Sequence, residues 1–358
     1  MAIQSLSTDQ VMTVLGPVPA GELGLVLPHE HILIDLSPYF FVRPTSARDL
    51  ELSREPISLE NLSWVRYNTR YSLDCQRLTD WEAAAAEVDL FGRAGGGTIV
   101  EATCRQIGRD PLGLARVSQA TGVRIVMGTG YYTADTHPPG LAARSEVELA
   151  EEMLADINGG VDGTGIRAGV IGELGCSWPL RETEAKVLRA GALAQRRSGL
   201  AVIVHPSRNE AGPWEAVEAL AGAGADLSRV VISHMDRCGY LLENRIRLLE
   251  AGCFIAYDLF GKEGYYPAEP ALADGHLPDM PNDLGRIREI ADLIERGWLS
   301  QILISQDNCL KTNLCRWGGP GYAHLVERAI PRMRIYGYTQ EMIRALTEEN
   351  PRRMLAGG

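Results

Sequence analysis

No stretch of this chain approaches the ~20 apolar residues that a membrane-spanning helix needs. Residues 1–13 also lack the basic start and apolar run of a secretory signal. A membrane partner is therefore not expected, and the expected compartment is the cytoplasm. Basic charge is scarce: 35 Lys and Arg face 46 Asp and Glu, a formal net charge of −11. A polyanion such as nucleic acid is repelled on average by that balance. The seven cysteines (Cys75, Cys104, Cys176, Cys238, Cys253, Cys309 and Cys315) stand singly, with no CxxC pair. That spacing argues against a disulfide framework or a zinc knuckle, and most of them read as buried thiols. Two catalytic signatures are also missing. No glycine-rich phosphate loop follows the first apolar run, against a dinucleotide fold, and no Gly-x-Ser-x-Gly elbow occurs, against a serine hydrolase.

What is present is the composition of a globular protein with many turns, 45% hydrophobic and 23% charged with 38 Gly and 19 Pro. Short apolar, β-branched runs recur at Leu23–Leu27, Thr98–Ala102, Val123–Gly128, Ile166–Ile171, Ala201–Val204, Val230–Ser233, Cys253–Tyr257 and Gln301–Ser305. Between them, Asp80–Arg93, Ser145–Ile157, Glu182–Ser198 and Asn282–Arg296 carry apolar residues at helical spacing. Eight strands alternating with helices predict a closed (β/α)₈ TIM-type barrel, an α/β fold, as one domain over residues 1–358. Two long connections, Leu36–Leu78 and Phe260–Asp283, follow strands and are expected at the C-terminal face, the first with short helices or as a lid.

Five of these strands end on a side chain able to hold a metal: His29 and His31, Glu173, His205, His234 and Asp307. In a parallel barrel the C-terminal strand ends converge on one mouth, so these residues meet despite their separation in sequence. A lone histidine at a strand end is more often a hydrogen-bonded core residue. The argument lies in the set. Strand alternation sends His29 and His31 to one face and turns Glu30 away, which makes Glu30 structural. His137, His276 and His324 fall in loops or near helices and are taken as surface or supporting residues.

The chain resembles the phosphotriesterase-related family of the amidohydrolase superfamily over essentially its whole length. The resemblance rests on Val11–Pro17, Leu27-Pro28-His29-Glu30-His31, Gly108-Arg109-Asp110-Pro111, Gly128-Thr129-Gly130-Tyr131-Tyr132 and Ala168–Glu173. It continues through Val204-His205, Ser233-His234-Met235-Asp236, Ile304-Ser305-Gln306-Asp307, Arg316-Trp317-Gly318-Gly319 and Asn350-Pro351-Arg352-Arg353. It implies two divalent ions, commonly zinc, with Mn, Co or Fe as alternatives. By position, His29, His31 and Asp307 would hold the more buried ion, and His205 and His234 the more exposed one. Asp307 would also move a proton from a metal-bridging hydroxide to the leaving group. Many members bridge the ions with a carboxylated lysine. Here Gly172 stands at that place, followed by Glu173, so the chain looks like the branch bridged by glutamate. Alternation would turn position 173 from the mouth unless a bulge re-aims it, and Gly172 tolerates such a distortion.

Tyr132 aligns with an aromatic lining the substrate pocket in related enzymes, and Arg237 is a candidate to grip an anionic or carbonyl group. Lys311 and Arg316 invite the same reading more weakly. The expected activity is metal-dependent hydrolysis of a small carbonyl substrate, a lactone or carboxylate ester. The alternatives are a phosphotriesterase or amidase of the same family, a metal-containing ligand-binding barrel with little turnover, and a mononuclear zinc deaminase. Trp64 and Tyr67, read as exposed aromatics, leave room for a homodimer.

Overall fold

The computed structural model describes residues 9–238, 241–263 and 280–356. Eight parallel strands form one sheet: β1 (Leu25–Glu30), β2 (Gly96–Glu101), β3 (Arg124–Thr129), β4 (Val170–Gly175), β5 (Val202–His205), β6 (Val230–Ile232), β7 (Phe254–Tyr257) and β8 (Ile302–Ile304). Each lies beside its neighbour in chain order. Crossover helices pack outside: α1 (Trp81–Arg93), α2 (Pro111–Thr121), α3 (Glu146–Asn158), α4 (Glu182–Ser198), α5 (Gly212–Gly222), α6 (Leu242–Glu250) and α7 (Asp283–Glu295). Helix starts follow capping chemistry. Asp80 caps α1, Ser145 and Glu148 form a reciprocal capping box on α3, and Asn282 caps α7.

Strand alternation divides the apolar residues into two cores. Val26, Val100, Val126, Val170, Ile203 and Val231 fill the barrel interior, while their neighbours Leu27, Ile99, Ile125, Ile171, Val202 and Ile232 face the helices. The interior core is extended by Val11 and by Met354 and Leu355. Val11 belongs to an N-terminal hairpin, Gln10–Thr13 with Gly16–Pro19, which the sequence pattern had not revealed.

The first and last strands meet through side chains and loop amides rather than a regular ladder. Asp307 donates its backbone N–H to the His29 carbonyl at 3.2 Å. The buried Glu30 carboxylate accepts from Ser305 Oγ and the Gln306 N–H, both at 2.7 Å, and from the Asn308 N–H at 2.8 Å. Glu30 is structural, as expected: it fastens the end of β8 to β1. Burial raises its carboxyl to about 7 against those donors.

The connection Leu36–Leu78 contains three short α-helices, Ser37–Phe40, Ala47–Leu52 and Leu62–Tyr67, and a 3-10 turn, Thr69–Tyr71, and ends in Arg77–Leu78 paired with Ile34–Asp35. Its residues Leu36, Phe40, Leu62 and Tyr67 line the cavity over the barrel mouth, in keeping with a covering role. Most of the Phe260–Asp283 connection, including His276, lies outside the described residues. Of the two aromatics expected to be exposed, Tyr67 is, whereas Trp64 is only partly exposed and donates its indole N–H to Asp49 at 2.9 Å. Five of the seven cysteines are buried, Cys309 partly so, and Cys315 is exposed. Among the described residues no helix is long and apolar enough to cross a membrane.

Candidate metal centre

Two departures from regular strand geometry aim the central residues. Strand β4 runs four residues later than the apolar run suggested, so Glu173 lies inside it, and its register with β5 shifts between Ile171 and Leu174. Gly172, at φ +129°, carries the shift, and a Cβ there would lie 2.4 Å from the Ile203 carbonyl oxygen. Leu174 consequently faces α4 and Glu173 faces the mouth. The register of β1 with β2 shifts similarly between Leu27 and Glu30, which re-phases His29 toward the same place. His234 and Asp307 have positive φ, 58° and 49°, a conformation uncommon for non-glycine residues and concentrated at functional sites.

The six residues expected to converge do converge. His31 Nε2 lies 3.3 Å from Glu173 Oε1 and 3.2 Å from Asp307 Oδ1. His29 Nε2 is 3.3 Å from Glu173 Oε2 and 4.0 Å from Asp307 Oδ1. On the other side of the glutamate, His205 Nδ1 is 3.0 Å and His234 Nε2 is 3.8 Å from Oε2. Glu173 thus stands between two groups, with His29 and His31 on one flank and His205 and His234 on the other, and both groups could hold a metal.

The outer nitrogens of the imidazoles are committed. Asp258, buried beyond β7, accepts from His234 Nδ1 at 2.7 Å and from the His234 N–H at 2.9 Å, and its other oxygen is 3.1 Å from His29 Nδ1. His31 Nδ1 is 2.9 Å from Thr103 Oγ1, whose own hydroxyl proton goes to Glu101. His31 and His234 therefore carry the proton on Nδ1, while His29 Nδ1 meets Ser233 Oγ at 2.9 Å as well as the Asp258 carboxylate. The Nε2 atoms of His29 and His31 face carboxylate oxygens, and His234 Nε2 meets His205 Nδ1 at 2.9 Å. Buried His29 Nε2 has no hydrogen-bond partner at all. Lone pairs opposed to carboxylates at this burial require a proton or a cation between them, so the residues present fit divalent metal.

The proton affinities agree. Burial lowers the basicity of His31, but hydrogen bonds to Asp307 and Glu173 outweigh it and carry the imidazole up to about 9. His29 is likewise pushed well above its ordinary value, against burial, by Asp258 and Glu173. Burial lowers His205 to about 3, which keeps it neutral and able to act as a ligand. Burial opposes the charge of Glu173, yet His205 and His29 hold its carboxyl well below the usual carboxylate range. Asp307 is held well below it too, chiefly by Lys262 against the cost of burial.

Tyr132 places its hydroxyl 3.2 Å from His205 Nε2, and Arg237 donates Nη2–H to the same nitrogen at 3.0 Å. Both line a cavity of about 1250 Å³ over the cluster. Lys311 instead pairs with Asp74 at 2.6 Å, Arg316 lies exposed against Trp317, and neither reaches the cavity. His324 lines the cavity and pairs with Asp283 at 2.7 Å, and His137 donates to the Tyr132 carbonyl at 2.8 Å.

Sequence reasoning missed Asp258, Ser233, Thr103, Glu101 and Lys262. Asp258 carried the same signal as the ligands, an acid directly after the Cys253–Tyr257 run and in phase with inward Phe254 and Ala256. Lys262 carried none, because only the fold of its loop brings it to Asp307.

The chain is similar to known proteins over nearly its whole length. The model of the phosphotriesterase family matches residues 9–355. The human N-acetyltaurine hydrolase is 38% identical over 355 residues, covering 99% of both chains. The Dictyostelium discoideum N-acetyltaurine hydrolase is 38% identical over 368 residues, covering 97% of both. A resiniferatoxin-binding protein from Rhodobacter sphaeroides superposes with a TM-score of 0.91 at 36% identity, covering 98% of both chains. The Escherichia coli phosphotriesterase homology protein, solved with phosphate in its active site, gives 0.75 at 30% identity over 93% of this chain and 98% of that one.

Proposed function

Because this chain belongs to the phosphotriesterase family and is a hydrolase, we propose that it cleaves the acyl bond of a small carbonyl compound bearing an anionic group, an N-acyl amide before a lactone or ester. The observation that carries the reading is the polarity of the cavity. Its floor is the carboxylate and imidazole cluster, and Arg66, Arg70, Arg208 and Arg237 line the space above it, outnumbering the wall carboxylate Glu263. An acyl carbonyl belongs at the floor and a carboxylate or sulfonate at the cationic wall. The sequence alone favoured a lactone or ester. The N-acetyltaurine hydrolases, similar over the full length, shift the preference to the amide that stood as an alternative.

In this reading His29, His31 and Asp307 would hold one divalent ion, His205 and His234 the other, with Glu173 as a ligand shared by the two groups. Bound there, the ions supply Lewis-acid activation of water and of the carbonyl oxygen. Asp307 takes the proton of the attacking water on Oδ1 and returns it to the departing nitrogen. Tyr132, beside His205, donates its hydroxyl to the oxygen on which charge develops. Arg237 stands on the same flank and orients the anionic end. The short helices of residues 37–67 reduce the water around the reacting atoms.

The test is a panel on protein of measured metal content: N-acetyltaurine, N-acyl amino acids, neutral amides, lactones, esters and a phosphotriester. Anionic N-acyl amides should show the highest kcat/KM, by at least ~10-fold over neutral amides. Faster turnover of the phosphotriester, or equal turnover of neutral and anionic amides, refutes the assignment. Binding without turnover in the whole panel would instead favour a ligand-binding barrel, the reading that the resiniferatoxin-binding relative supports.

A further inference from the structure

The geometry points to Lys262 as a positioning residue of the reaction, which clamps the outer oxygen of Asp307 so that the inner oxygen stays aimed into the cluster. This rests on the proposed hydrolysis for its kinetic consequence, though not for its structural one. Asp307 is divided between two partners. Oδ1 faces His31 Nε2 at 3.2 Å, while Oδ2 accepts from Lys262 Nζ at 2.7 Å. A carboxylate at a strand end turns about its side-chain torsions unless both oxygens are held. Its backbone N–H also reaches across the barrel to the His29 carbonyl, a bond that leaves the side chain free to rotate.

Lys262 is not a surface lysine that happens to lie near. Its side chain is 14% exposed and lines the cavity. The backbone that delivers it is fixed on several sides. The Phe260 N–H donates to the Ser305 carbonyl at 3.2 Å, and the Gly261 N–H to Asp283 Oδ1 at 2.9 Å. The Lys262 carbonyl accepts from Arg286 Nη2 at 2.8 Å. Arg286 is wholly buried and is itself held by Asp236 Oδ2 at 2.6 Å and Asp283 Oδ1 at 3.0 Å. Asp236 Oδ2 also accepts the Leu259 N–H at 3.1 Å. A buried guanidinium and two carboxylates are thus committed to the placement of residues 259–262. Burying such charges is costly and needs full pairing, and its structural product here is an ammonium at one fixed point beside Asp307. Gly261, at φ +83°, is part of the device, because a Cβ there would press on Pro320 and His324.

The ammonium also sets direction. It stands on the cavity side of Asp307, opposite the imidazoles, so the carboxylate presents Oδ1 to the attacking water and keeps Oδ2 from competing for it. Arginine at 262 keeps the charge with a different reach, and methionine keeps the length without it.

The experiment compares Lys262→Met, Lys262→Arg and Lys262→Ala with wild type, each at measured metal content and on the best substrate of the panel. Expected for Lys262→Met, assayed at saturating metal, is a kcat loss of ~10–100-fold, the usual effect of removing an outer-shell partner, together with weaker metal binding because Asp307 is also read as a ligand. KM should stay within about threefold, since ground-state binding is not what is lost. Lys262→Arg should retain more activity, and added alkylamines should restore part of the kcat of Lys262→Ala in a saturable way. A crystal structure of Lys262→Met should show the Asp307 carboxylate rotated from its place beside His31. The proposal is overturned if kcat at saturating metal is unchanged, if KM alone rises, or if Asp307 keeps its orientation without Lys262. If wild-type protein turns over nothing in the panel, the proposed function fails, and the crystallographic comparison alone still decides the role of Lys262.

Discussion

Replacing Asp258 by asparagine should weaken metal binding, although Asp258 is not among the six residues read as ligands. The carboxylate accepts from His234 Nδ1 at 2.7 Å and lies 3.1 Å from His29 Nδ1, so its two oxygens bias both imidazoles toward a proton on Nδ1, with Ser233 Oγ at 2.9 Å as a second partner of His29. Asparagine offers one oxygen and one NH₂. If the oxygen keeps the shorter contact to His234, the NH₂ faces the His29 N–H, donor against donor. His29 relieves the clash by moving its proton to Nε2, the atom 3.3 Å from Glu173 Oε2. That removes one lone pair from the cluster. Loss of an outer-shell partner costs ~10–100-fold in metal affinity, which is ~1.4–2.7 kcal/mol. The upper end is expected, because the substitution also withdraws a buried negative charge that burial disfavours but His234 and His29 hold ionised. The assay is competition against a chromogenic chelator, titrating zinc into metal-free wild type and Asp258→Asn, with circular dichroism to establish that the variant is folded. If both ions bind a folded variant within about threefold of wild type, Asp258 does not fix the tautomers and the reasoning is wrong.

Metal affinity should rise with pH. His31 reaches about 9 in the metal-free fold against an ordinary 6.5, so its proton stabilises that fold fully below 6.5 and the contribution is lost as pH rises through 9. An incoming ion must displace this proton, so affinity should fall about tenfold per pH unit below 9 for each proton displaced; a flat profile between pH 6 and 8 would contradict it. Gly172→Ala should cost more than ~1 kcal/mol in urea unfolding, since alanine is incompatible with the positive φ there. It should also reduce bound metal by displacing Glu173, and a variant with wild-type stability and metal content would sink this account of the bulge. Arg286→Met leaves Asp236 and Asp283 without their buried partner, which should cost ~3–5 kcal/mol; a loss under ~1 kcal/mol, the range of exposed pairs, would show the network to be dispensable.

Much of this protein was legible in its sequence, because barrel strands announce themselves by local means. Each apolar β-branched run needed only its own composition to be found, and strand ends of a parallel barrel share one mouth whatever their loops do. His29, His31, Glu173, His205, His234 and Asp307 therefore emerged together before any coordinates. Glycine at 172 even signalled the distortion that turns Glu173 inward, since few other residues adopt its backbone conformation.

Tertiary structure decided what no local pattern encodes. The re-phasing of β1 at Leu27–Glu30 depends on the register with β2, a relation between strands about seventy residues apart. The tautomers of His29 and His234 depend on Asp258, whose role exists only once three strand ends meet. Lys262 reaches Asp307 because buried Arg286 holds its loop from beneath. The sequence by itself determined which chemical groups stand at the mouth, since strand periodicity is a local property. Only the folded chain decided which way each group points and which proton it carries, because direction and protonation are set by neighbours distant in sequence.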